Sequence, residues 1–194
     1  MNKKQSTLIL EYAENHDGYV EVAALREQNI AQTYLSYMEK EGIFRKVAKG
    51  LYLKRDHPED PYYVLHYRYK KLVFSLQTSA FLQGLLPEQK EISGYLPLNY
   101  LTQGISGVAS RHVGQKEFTL GLSLAVTPRG NLVPCYDVER TLLDALRYPE
   151  KWEKEAIAAL FKSAYPKADK ALLQTYAKAF HCEGELALAV RLLG

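Results

Sequence analysis

The stretch NIAQTYLSYMEKEGIFRKVAKGLYLKR, residues 29–55, decides the fold. Ile30, Leu35 and Met38 fall at helical spacing and predict a helix over 31–41 that Gly42 ends. Ile43–Val47 then reads as a short strand, Ala48-Lys49-Gly50 as a turn and Leu51–Leu53 as a return strand. Working back toward the N-terminus, Leu8, Ile9, Tyr12, Ala13 and His16 predict a helix over 3–17, stopped by Asp17-Gly18. Tyr19-Val20 bridges to a second helix over 21–27, and Gln28-Asn29-Ile30 is a turn. Three helices with a tight turn between the second and third, followed by a hairpin, is the element order of a winged helix-turn-helix. Its DNA-binding form lays the third helix in the major groove.

Charge placement agrees with that order. The chain of 194 residues carries a formal +3, but residues 1–39 hold three basic groups against six acidic ones. Residues 40–55 hold Lys40, Arg45, Lys46, Lys49, Lys54 and Arg55 against Glu41 alone, so positive charge begins at the end of the third helix and fills the hairpin. Burying Leu35 and Met38 turns Gln32, Thr33, Ser36, Tyr37 and Lys40 outward. Gln32 has the two-pronged chemistry that pairs with adenine, and Thr33 that of a base-edge or thymine-methyl contact. Ser36, Tyr37 and Lys40 suit phosphates, Gln28 precedes the helix within reach of the same groove, and Arg45, Lys46 and Lys49 suit the backbone or minor groove.

Arg55–Pro61 (RDHPEDP) reads as a linker, which predicts a domain over 1–56 and a second over 57–194. The second region mixes elements: a helix over 62–69, a strand at 72–75, a helix over 78–83, several short strands between 91 and 127, a strand over 132–135, and a helix over 138–147 capped by Asp137. Helices follow Pro149 and Pro166, and a last one uses Leu186, Val190 and Leu193. The fold class expected is therefore α+β, a winged helix-turn-helix followed by a mixed α/β domain ending in helices. A 47% apolar and 24% charged composition excludes wholesale disorder. The absence of a long uncharged apolar run, and of an apolar region after the N-terminal lysines, predicts neither membrane span nor signal peptide, hence a cytoplasmic protein. Cys135 and Cys182 lack CxxC spacing, as in a reduced compartment.

Nothing in the second region reads as catalytic. Asp137, Glu139 and Asp144 invite a metal site, yet Asp137 stands at a helix cap and Arg140 and Arg147 are interleaved as charge partners. Cys135 with His112 as base has no linking motif, and the five histidines show no ligand spacing. The glycine loops 104–107 and 127–130 are turns rather than phosphate fingerprints. Tyr62, Tyr63, Tyr67 and Tyr69 stand among Arg68, Lys70 and Lys71, a pattern that serves either to stack nucleic acid or, more commonly, to pack a helix with hydroxyls at its rim. No catalytic residue, metal or cofactor is expected.

The run 29–52, with Asn29-Ile30 opening the reading helix and Gly42, Arg45, Gly50 and Tyr52 in the wing, resembles the N-terminal domain of the AbiEi antitoxin family. TSAFLQGL (78–85) and YDVERTLLDAL (136–146) resemble the family's second domain. Asn29 stands where the family has glycine, and asparagine also tolerates a left-handed turn. The resemblance implies an antitoxin of a bacterial type IV toxin–antitoxin, or abortive-infection, system. It implies a repressor of its own operon that binds promoter duplex DNA at inverted repeats, monomeric in solution and cooperative on DNA. Its C-terminal domain would counter a nucleotidyltransferase toxin without holding it in a stable complex. The alternatives are a winged-helix protein-interaction module and a transcriptional regulator that is not an antitoxin.

Overall fold

The computed structural model describes residues 3–87, 89, 91–102 and 104–193. The chain is α+β and divides into two compact units, residues 1–70 and 71–194.

The first unit runs α1 (Lys3–Glu14), β1 (Tyr19–Glu21), α2 (Val22–Glu27), α3 (Gln32–Lys40), β2 (Phe44–Ala48), β3 (Leu51–Lys54) and α4 (Pro61–Arg68). Ile9 and Ala13 of α1, Leu25 of α2, and Leu35 and Met38 of α3 close a core over Val20, Ile30, Phe44 and Tyr52. The turn between α2 and α3 is made at Asn29, whose φ of 57° is the left-handed conformation an asparagine tolerates. β3 is the central strand of an antiparallel three-stranded sheet, order β1-β3-β2. Residues 19–21 therefore form a strand rather than a bridge: Tyr19 lies opposite Leu53 and Glu21 opposite Leu51. Tyr19 and Val20 are both buried, so no alternation announces the strand in the sequence. Gly18 is obligatory beside it, because a Cβ there would meet the His57 ring at 2.5 Å.

The boundary lies at 70/71, not at 56/57. The segment that reads as a linker ends in a helix start: Asp60, wholly buried, accepts from the backbone N–H groups of Tyr62 and Tyr63, and Pro61 takes the first helical position. The Asp60 N–H donates to the Tyr19 hydroxyl at 2.8 Å. Val64 packs with Tyr19, Val47, Leu51 and Leu53, and Tyr63 and Tyr67 lie against them. Tyr63 donates to Glu21, Tyr67 to the Gly50 carbonyl, and Arg68 to the Val47 carbonyl. Helix α4 is thus fastened to all three strands of the first sheet.

The second unit contains β4 (Val73–Phe74), α5 (Leu76–Leu82), β5 (Ile92–Pro97), β6 (Val108–Val113), α6 (Gln115–Thr119), β7 (Leu122–Val126), β8 (Leu132–Tyr136), α7 (Val138–Arg147), α8 (Lys154–Ala164), α9 (Lys170–Phe180) and α10 (Glu183–Leu193). Single 3-10 turns at 149–151 and 165–167 mark the two prolines. The strands form one mixed sheet, order β6-β5-β4-β8-β7, with β5·β6 and β4·β8 parallel and the other pairs antiparallel. Helix α7 is central: every residue from Glu139 to Ala145 is buried, with Leu142, Leu143 and Ala145 packed on Leu160, Phe161, Leu173 and Leu186.

Candidate nucleic-acid interface

Helix α3 presents two faces. Leu35 and Met38 are buried, while Gln32, Thr33, Tyr37 and Lys40 are exposed, Tyr37 by 45% although it is a large aromatic ring. Positions 33, 37 and 40 lie three and four apart and so stack along one side of the helix. Ser36 is only half-buried and sits at the margin of that side. Gln28 caps the C-terminal end of α2 and is exposed. The Ile43 N–H donates to the Met38 carbonyl at 2.9 Å, which turns the chain at once from α3 into β2.

The hairpin cations divide into two sets. Arg45 donates to Glu59 at 2.6 Å, and Lys54 donates to Glu14 at 2.6 Å with Asp56 at 3.3 Å. The Glu14 carboxylate beside it raises the Lys54 ammonium above its ordinary range. Lys40, Lys46 and Lys49 are exposed and form no ion pair among the described residues. The ladder register shifts between Lys46 and Ala48, and such a bulge re-aims side chains at a hairpin. Sequence reasoning missed Glu59, which sits in the apparent linker and reaches back to Arg45. No local pattern signals that pair, since it depends on where α4 begins.

The tyrosine-rich helix is used for packing. Tyr62 is buried, Tyr63 and Tyr67 are spent on the sheet as described, and Lys70 lies 4.1 Å over the Tyr67 ring. Burial, reinforced by Glu21, pushes the Tyr63 hydroxyl well above its ordinary range.

The acidic residues of α7 hold the second unit together. Asp137 accepts from the Arg140 N–H at the helix start and from the Tyr176 hydroxyl at 3.0 Å. Glu139 accepts from the Asp169 N–H. Asp144 receives Arg140 Nε at 2.9 Å and Arg147 Nη1 at 3.0 Å. Arg140 is wholly buried, donates to the carbonyls of Glu117 and Leu120, and lies 4.3 Å over the Tyr136 ring. A Cβ at Gly121 would strike Arg140 at 2.6 Å, so the turn before β7 is shaped to this side chain. Burial works against the Arg140 charge, and Asp144 more than offsets it. Glu117 takes the Tyr148 hydroxyl at 2.7 Å and Arg147 at 3.0 Å. Burial works to raise the Glu117 carboxyl, but those two donors hold it below its ordinary range.

Cys135 and His112 do not meet. They lie on strands separated by two others, which at strand spacing is roughly 14 Å. Burial pushes the Cys135 thiol up to about 12, the opposite of an activated nucleophile. Among the described residues no group of three or more metal-ligating side chains comes together. The two glycine loops are turns, with Gly104, Gly107 and Gly130 all at positive φ.

No family model matches this chain, and no curated protein matches it. Three chains among the solved structures match. One is the crystal structure of the RV2827C protein from Mycobacterium tuberculosis, which is similar over 90% of this chain and 71% of that one, at 15% identity and a TM-score of 0.59. At that identity the likeness speaks for the fold alone. No described helix is long and apolar enough to cross a membrane.

Proposed function

We propose that the first unit is a winged helix-turn-helix that binds duplex DNA, with α3 in the major groove and the β2–β3 hairpin along the backbone. The observation that carries the proposal is the exposed side of α3, Gln32, Thr33, Tyr37 and Lys40, followed directly by a hairpin whose Lys46 and Lys49 have no carboxylate partner among the described residues. Free ammonium groups are what phosphate neutralisation requires, and the exposed amide and hydroxyl supply base-edge chemistry. On the strength of the three matching runs at 29–52, 78–85 and 136–146, we read the whole chain as an autorepressing antitoxin of the AbiEi type, non-catalytic and cytoplasmic. In that reading the DNA is its operon's promoter with inverted repeats, and the functional partner is a nucleotidyltransferase toxin.

The test is a salt-resolved gel shift of the full chain on DNA from upstream of its own gene. Lys46→Ala with Lys49→Ala lowers affinity for every sequence and reduces the slope of log affinity against log salt by about 2. Gln32→Ala instead changes which sequence is preferred, at about 1–3 kcal/mol for the base pair it reads. Binding that is unchanged in both variants removes the proposed docking. Rescue of cells expressing the gene immediately downstream tests the antitoxin part separately.

A further inference from the structure

The two edges of the second sheet differ in how they meet solvent. β6 (VASRHV) carries Arg111, the kind of charged position that keeps an edge from pairing. β7 (LSLAV) has no charge and no proline, and β8 covers only one of its sides, so backbone N–H and C=O groups along the other side have no strand beside them among the described residues. Its side chains are as open as its backbone. Leu122, Leu124 and Val126 share one face by the two-residue period and are 45%, 64% and 56% exposed. Leu132, 60% exposed, stands opposite Val126 and extends the patch onto β8, with the half-buried Pro134 opposite Leu124. The cluster of Val73, Tyr95, Val113, Phe118 and Tyr136 covers that face near Tyr136, which stands opposite Leu122, and Leu124, Val126 and Leu132 beyond it are more than half exposed. A contiguous row of large aliphatics on an unpaired edge marks an interaction site on a folded protein.

Charge selects the occupant. From Phe118 to Tyr136 there is no carboxylate, and the exposed cations Lys116 and Arg129 lie before and after β7. A second copy of the hairpin would bring the same uncompensated positive charge to the same edge. We propose that β7 is a docking edge for an extended segment of a partner protein. That segment is apolar at alternate positions, carries carboxylates at its ends, and adds a sixth strand to the sheet. Main-chain hydrogen bonds to β7 give affinity, the segment's apolar side chains pack beside Leu122, Leu124 and Val126, and its end carboxylates meet Lys116 and Arg129.

The proposal is tested with the full chain and short blocked peptides labelled for fluorescence polarisation. One has a core of alternating Val and Thr between Asp and Glu residues; the other has the same core between lysines. The acidic-ended peptide binds, the lysine-ended one binds at least about tenfold more weakly, and added salt narrows the difference. Leu124→Lys lowers the affinity about tenfold or more, whereas Leu192→Lys, at an exposed apolar position on α10, leaves it unchanged. Leu124→Thr, which keeps a strand-forming side chain, weakens binding without changing the thermal unfolding midpoint and so separates docking from folding. Hydrogen exchange slows on peptide addition at the amides of residues 122–126 that face away from β8. Equal binding of the two peptides, no binding of either, or indifference to Leu124→Lys overturns the proposal. So does concentration-dependent dimerisation of the chain alone that Leu124→Lys abolishes, because the occupant is then a second copy.

Discussion

The hairpin of the first unit and helix α7 of the second are both rich in basic residues and use them oppositely. Lys46 and Lys49 stand in solvent with no carboxylate partner among the described residues. Arg140 and Arg147 converge on one buried carboxylate, Asp144, and Arg140 is closed off from solvent altogether. The contrast teaches that formal charge is informative about partners only after burial is known. A cation in water is available to a phosphate, whereas one that already has two carbonyls, a carboxylate and an aromatic face is part of the core.

The largest test of this contrast is Arg140→Ala. It leaves buried Asp144 with Arg147 as its one remaining guanidinium and opens a void, and urea unfolding followed by far-UV circular dichroism should show a loss of about 3–5 kcal/mol from the second unit. DNA affinity per folded molecule should be unchanged; a parallel loss would mean that the two cation sets are not separate devices. Next is Lys46→Ala with Lys49→Ala. Affinity for DNA should fall on the order of tenfold at low salt. Stability should stay within about 0.5 kcal/mol of the parent, because neither ammonium is part of a packed network.

A smaller effect is expected from Glu117. Its folded carboxyl lies below the ordinary value of 4.5, so the stability it contributes is present above that pH and is lost as pH falls through the folded pKa. Unfolding midpoints of the second unit should therefore decline more gently below pH 4.5 in Glu117→Gln than in the parent. The smallest is Glu59→Gln. Releasing Arg45 from its half-exposed ion pair, worth about 0–1 kcal/mol, should raise DNA affinity by no more than about fivefold. A decrease would mean that Glu59 holds Arg45 in its binding pose.

The parts of the fold legible in the sequence are those with a strong local cause. Helix α7 occupies 138–147 as its periodicity and the Asp137 cap predict, and the β2–β3 hairpin turns where Lys49-Gly50 allows. Asp144 pairs with Arg140 and Arg147 of α7 as their interleaving suggests. Elements whose cause is distant were not legible. β1 spans three residues and exists because β3 lies beside it. Helix α6 spans five residues and is pinned by Phe118 packing under Tyr136. Asp60-Pro61 has the chemistry of a helix start, but two prolines in seven residues imitate a tether. At the candidate interface, the outward side of α3 follows from periodicity alone, whereas the Arg45–Glu59 pair spans fourteen positions and needed the fold. The bare face of β7 was hidden for the reverse reason: an uncharged strand reads as buried until its place at the sheet edge is known.

The fastening of α4 has a consequence for heredity as well as for stability. Recombination that joined the first unit to another partner after residue 56 would deliver a protein with Leu51, Leu53 and Val47 deprived of Val64, Tyr63 and Tyr67. A crossover between Lys70 and Lys71 would carry the module away whole. Among descendants of such exchanges, the RDHPEDP stretch should travel with the hairpin, because the residues that look like a hinge are part of the cargo.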